Sequence, residues 1–167
     1  FTATLSTALV TKLNYANDSD LGSLNGSIFA TVTVTASGST ATFEVNANDT
    51  VLNPDSNYGI QSFGFNYDGD TLDAPLTITD LPSNWTVKED QNQGGLGTFE
   101  IVTSGKSSTR HDPLVFSVTN LPDLSPETIE NAFYVENSDG HHYFPHIAGF
   151  TVGGSKATGA YFTRRWR

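Results

Sequence analysis

Residues 28 to 47 constrain this chain more than any other stretch. In IFATVTVTA, Ile28, Ala30, Val32 and Val34 alternate with Phe29, Thr31, Thr33 and Thr35. Ser37-Gly38-Ser39 then turns the chain, and Thr40 to Ala47 returns with Ala41, Phe43 and Val45 on the apolar side. Side chains change face at every residue of a strand, so this pattern is a hairpin with one face to bury. Such a face needs a second layer to cover it, which places the chain among sheet-on-sheet folds.

Similar pieces recur along the sequence. Thr2 to Tyr15 alternates with Ala3, Leu5, Leu9, Leu13 and Tyr15 on one face, and reads as one long strand. Further strands are expected at Gly59–Tyr67 (Gly64 marking a bulge), Leu76–Thr79, Asn84–Lys88, Thr98–Thr103, Pro113–Thr119, Ala132–Glu136, Phe144–Val152 and Ala157–Thr163. Asn48 to Asn57 and Gln91 to Gly97 read as polar loops, and Ser138-Asp139-Gly140 as a turn inside the aromatic stretch Phe133–Phe150. One short helix is expected after Ser125, with Ser as N-cap and Pro126 in the first helical position. The fold expectation is therefore all-β: a single two-sheet β-sandwich over residues 1–167, jelly-roll-like, with at most one short helix.

Composition excludes several function classes. With 167 residues and neither Cys nor Met, there is no disulfide, thiolate metal site or thiol nucleophile, and packing alone must hold the core. The formal net charge of −10 opposes nucleic-acid binding. No apolar run is long enough to be a spanning helix. A start at Phe1 reads as an exported chain whose signal peptide has been removed.

Gly59–Asn66 (GIQSFGFN), Leu81–Thr86 (LPSNWT), Pro113–Thr119 (PLVFSVT) and above all Tyr143–Phe150 (YFPHIAGF) carry a resemblance. The chain resembles the secreted and surface β-domains of the PEP-CTERM (exosortase-sorted) type over roughly residues 59–150, although it contains no Pro-Glu-Pro sorting signal. The resemblance implies an exported protein of the cell surface or biofilm matrix. It carries over no catalytic residue.

Several residue groups point to chemistry. His141 and His146, which His111-Asp112 would complete from another loop, have the imidazole and carboxylate character of a transition-metal site. Asp68, Asp70 and Asp73, spaced around Gly69, resemble the oxygen ligands of a calcium loop. Tyr58, Trp85 and Tyr143 are the aromatics expected to stack on a polysaccharide if the domain binds glycans. Asn17 and Asn48 stand in Asn-x-Ser/Thr sequons and are the expected glycosylation sites. No nucleophile-and-base motif is present, and no catalytic residue is expected.

The favoured functional expectation is a non-enzymatic extracellular subunit that self-assembles into a filament. Residues 1–15 would act as a donor strand in a neighbouring copy, with Ala3, Leu5 and Leu9 filling its groove. The basic tail at 163–167, with Arg164, Arg165 and Arg167, would dock on an acidic body. A secreted glycan-binding module is the alternative.

Overall fold

The computed structural model describes residues 7–122, 124–152 and 155–165. The strands in chain order are β1 (Thr7–Leu13), β2 (Tyr15–Ala16), β3 (Ala30–Ser37), β4 (Thr40–Ala47), β5 (Pro54–Phe65), β6 (Thr77–Thr79), β7 (Thr86–Gln93), β8 (Gly97–Ser104), β9 (Leu114–Thr119), β10 (Tyr143–Val152) and β11 (Ser155–Thr163). They form two antiparallel sheets. Sheet A has the order β1-β3-β4-β9-β6, and sheet B the order β2-β11-β10-β5-β8-β7. The expected all-β two-sheet sandwich is what the chain forms. Its winding mixes crossings between the sheets with three hairpins, β3–β4, β7–β8 and β10–β11, that keep consecutive strands side by side.

The β3–β4 hairpin follows its sequence pattern through Ala30↔Ala47 to Ser37↔Thr40, closed by a two-residue turn in which Gly38 adopts φ 58°. The apolar side of this hairpin faces sheet B. Phe43 is at the centre: its ring lies 5.0 Å from Phe116 of β9 in a parallel stack and 4.6 Å from Phe65 of β5. Phe133 meets it edge-on at 5.3 Å. Phe63 and Tyr143 continue the cluster across sheet B. Such ring pairs contribute specific geometry beyond their buried area.

A second, smaller cluster lies on the outer face of sheet B. Phe144, one residue after the inward Tyr143, packs on Phe99 at 4.9 Å, with Leu96 and Val102 beside them. Gly64 faces Phe144 across the β5–β10 ladder, and a Cβ there would fall 2.2 Å from the Phe144 ring. Gly64 is therefore a close-approach glycine. The bulge expected there lies instead at Gln61, which the ladder skips between Ser62↔His146 and Ile60↔Ile147.

Other expectations change for identifiable reasons. The first strand does not run unbroken to Tyr15: it ends at Leu13, and Asn14 carries the chain across to β2 in sheet B. Two short α-helices replace the one expected. The first, α1 (Asp49–Leu52), occupies part of the supposed loop because the Asn48 side chain accepts from the Thr50 N–H and caps it; β5 then begins at Pro54. The second, α2 (Pro126–Phe133), begins at the Ser125 cap as read. It runs on through Ala132-Phe133, so no strand forms at 132–136 and the aromatic stretch is not a hairpin. Ile129, Ala132 and Phe133 share its buried face against sheet A. β7 extends to Gln93, taking in half of the loop expected at 91–97.

Truncating Phe43 to Ala should destabilise the domain by about 3–5 kcal/mol, the range for a fully buried aromatic. Denaturant unfolding measures this. A loss comparable to that of an exposed side chain would contradict the central place of this ring.

Candidate functional site

The aromatics expected to hold a glycan are mostly inside. Tyr143 is 1% exposed, stacks on Phe63 at 5.9 Å and donates its hydroxyl to the Phe133 carbonyl at 2.8 Å. Trp85 is 8% exposed. Its indole N–H donates to the Thr109 carbonyl at 2.7 Å while the ring covers Gly105. Tyr58 packs its ring on the core, and its hydroxyl is enclosed beside Asp49. A sugar ring needs an open aromatic face, so Tyr143 and Trp85 are corrected to core residues, and Tyr58 to a packing residue at the core's edge.

The metal expectations meet the same outcome. Among the described residues, no three His, Asp or Glu side chains converge in a way that could hold an ion. Asp68 spends both carboxylate oxygens on its own turn, accepting from the Asp70 N–H and the Thr71 hydroxyl, each at 2.9 Å; these bonds hold its carboxyl below the usual range. Asp70 and Asp73 are exposed. His141 pairs through Nδ1 with the Thr163 hydroxyl at 3.1 Å, whereas His146 stacks on Tyr161 at 4.5 Å. His142 stacks on Tyr134 at 3.8 Å. Burial lowers the pKa of all three below the usual 6.5, which favours the neutral ring.

The loop carrying His141 and His142 is held by two asparagines that sequence reading passed over. Asn66, buried at the end of β5, donates to the carbonyls of Val135 and His141 and accepts from the Glu100 N–H. Asn137 donates to the Leu96 carbonyl and accepts from the N–H groups of Asp139 and His141. The Asn66 partners and Leu96 are distant in sequence, and no local pattern announces them, whereas Asp139 and His141 lie only two and four residues beyond Asn137. Of the sequon residues, Asn17 is exposed, with its amide donating to the Gly94 carbonyl. Asn48 is committed to structure: its amide donates to Ile28 at 2.7 Å while its oxygen caps α1. A glycan on Asn48 Nδ2 would compete with the bond to the Ile28 carbonyl, so this sequon is tied into the fold where Asn17 is exposed.

Of the assembly residues, Ala3, Leu5 and Arg167 lie outside the described residues. Leu9 sits in β1, opposite Val34 of its own chain and packed on its own core. Arg165 does not reach away from the body. Its N–H donates to Asn14 Oδ1 at 2.9 Å, its carbonyl accepts from Asn14 Nδ2 at 3.2 Å, and its guanidinium lies 3.7 Å from the centre of the Tyr15 ring. Arg164 is half-buried beside it and engaged within the chain. Asn14, Tyr15, Gly22, Asn25, Gly26 and Arg165 together line a cleft of about 370 Å³. It brings an aromatic and a cation together in one concave surface.

A third arrangement is acidic. Asp112 accepts from the Ala47 N–H at 3.0 Å, and its carboxyl lies within hydrogen-bonding reach of Asp49 at the start of α1. Partial burial and this second carboxyl raise its pKa to about 6. Burial and the same Asp49 push the Tyr58 phenol up as well.

Comparison with protein-family models, curated proteins and solved structures returns no significant match.

The Asp112 arrangement has a pH signature. Its folded pKa of about 6 exceeds the usual 3.8. The folded state therefore holds more protons than the unfolded one between those values, and stability falls as pH rises through about 6. The three histidines act in the opposite sense, their stabilisation being present above 6.5 and lost as pH falls. Asp112→Asn keeps an oxygen for Ala47 but removes the like-charge contact. Thermal unfolding should find this variant more stable than the parent at pH 8, with the gap closing by about pH 4; a gap independent of pH would contradict the assignment.

Proposed function

We propose that this protein is an exported, non-enzymatic structural subunit that polymerises through the two edges of sheet A. The observation that carries this reading is the state of those edges. β1 has β3 on one side and, among the described residues, no strand on the other along Thr7–Leu13. At the far edge, β6 pairs only with Ser117–Thr119, so Leu114–Phe116 of β9 has no strand partner among the described residues on that side. The free side of β1 and the Leu114–Phe116 half of β9 run in opposite directions, as an antiparallel ladder between copies requires. Because the two edges differ, their union is heterologous and repeats into a filament unless it closes.

Charge supports the same edges. The chain carries 18 acidic residues, yet on the strands of sheet A only Glu44 is acidic and only Lys12 is basic. Copies with a net charge of −10 repel one another least through such a surface. Val10 and Val115, 53% and 40% exposed, lie on it as well. One edge of sheet B is guarded: β7 bears Lys88, Glu89 and Asp90, all exposed, and charges of this kind discourage edge pairing.

The addition proposed is to the outside of β1, with β1 kept in its own sheet. Its inward residues Leu9, Thr11 and Leu13 belong to the chain's own core, and donating β1 itself would uncover them. An extracellular matrix or cell-surface location fits the resemblance to PEP-CTERM-type domains.

Negative-stain microscopy of concentrated protein should reveal filaments. Val115→Lys, which places a charge beside the open half of β9, should leave monomers by size-exclusion chromatography, whereas Glu89→Gln on β7 should not interfere. Absence of filaments from the parent chain, or filaments undiminished by Val115→Lys, would overturn the reading.

A further inference from the structure

We infer that the cleft between β2, the turn at Ser19–Leu24 and Arg165 is a binding site for a carboxylate-bearing oligosaccharide, of the uronic-acid type. This site is independent of the assembly edges, since it lies at the β2 end of sheet B.

The cleft has a preorganised cation. Two reciprocal bonds with Asn14 fix the Arg165 backbone, and the Tyr15 ring supports the guanidinium from one side at 3.7 Å. Both constraints are in place before any ligand arrives, so little side-chain freedom remains to be lost on binding. The residue is nevertheless exposed, and among the described residues no carboxylate lies within salt-bridge distance of it. Its fork geometry suits bidentate pairing with a planar carboxylate.

The rest of the lining suits a sugar better than a peptide. Asn25 uses its side-chain oxygen to accept from the Ala16 N–H at 2.9 Å, which turns its amide NH₂ toward other partners. A Cβ at Gly22 or Gly26 would meet nothing within 4 Å, so these positions leave the wall open for a ring to approach the backbone. The cleft continues into a groove lined by Asn17, Asp18 and Ser19, whose amide, carboxylate and hydroxyl groups match ring hydroxyls. Tyr15 is the one aromatic of the lining.

The test is calorimetric titration with pentagalacturonate at low salt, against its fully methyl-esterified form and a glutamate pentapeptide. Pentagalacturonate should bind, the neutral ester should bind at least tenfold more weakly, and the peptide should not compete. Arg165→Ala should weaken binding on the order of 10- to 100-fold with an unchanged melting temperature, the backbone clamp to Asn14 needing no guanidinium. Arg165→Lys, which keeps the charge but not the fork, should recover only part of the affinity. Failure of pentagalacturonate to bind at millimolar concentration would overturn the inference. So would binding indifferent to Arg165, or a peptide that binds as tightly as the sugar. Because none of these readouts depends on filaments, the site and the assembly reading stand or fall separately.

Discussion

The contact on which this sandwich depends is the set of rings around Phe43. With no disulfide to fall back on, the two sheets are held by what interdigitates between them. Phe43 touches Phe116 on its own sheet, Phe63 and Phe65 on the opposite one, and Phe133 on α2. One residue therefore sets the register of β4 against β9, the spacing of the sheets and the seat of the helix. The helix is tied back in turn, because the carbonyl of Phe133 takes the Tyr143 hydroxyl and so joins α2 to β10. A slip of β4 by one residue would exchange Phe43 for Thr42 or Glu44 and break all of these contacts together.

What the sequence disclosed follows the range of the interactions concerned. The β3–β4 hairpin was legible because alternation and turn chemistry are local, and the α2 start because a cap and a proline are adjacent to it. The α1 cap was equally local: Asn48-Asp49-Thr50 is a helix-start signal, outweighed in the reading by the polarity of the surrounding loop. The end of α2 was not legible, since Ala132-Phe133-Tyr134-Val135 satisfies a strand as well as a helix and only the packing of Phe133 on Phe43 decides. Tyr143 and Trp85 went astray for a related reason. Aromatic identity indicates large apolar area, whereas the side of the sheet it occupies depends on partners far away in the chain, Phe63 and Thr109 among them. The role of Asn66 and the reach of Asn137 to Leu96 were invisible on the same ground.

The segment from Thr7 to Ala16 shows how a small departure from an expected strand changes a functional argument. Read as one continuous strand, it could leave its own domain whole. In the fold it serves both sheets, β1 in one and β2 in the other, with Asn14 at the crossing. The Asn14 side chain is fully engaged with the Arg165 backbone, so the crossing is bolted to the far end of the chain. β1 is also closed from beneath by α2 and linked through Thr11 to the Tyr143 hydroxyl. Removing it would open the Phe43 cluster at its edge. Adding a strand to its outer side disturbs none of these contacts. Edge addition is thus the cheaper form of self-association for this domain, and it leaves the Tyr15–Arg165 cleft intact at the other end of the same segment.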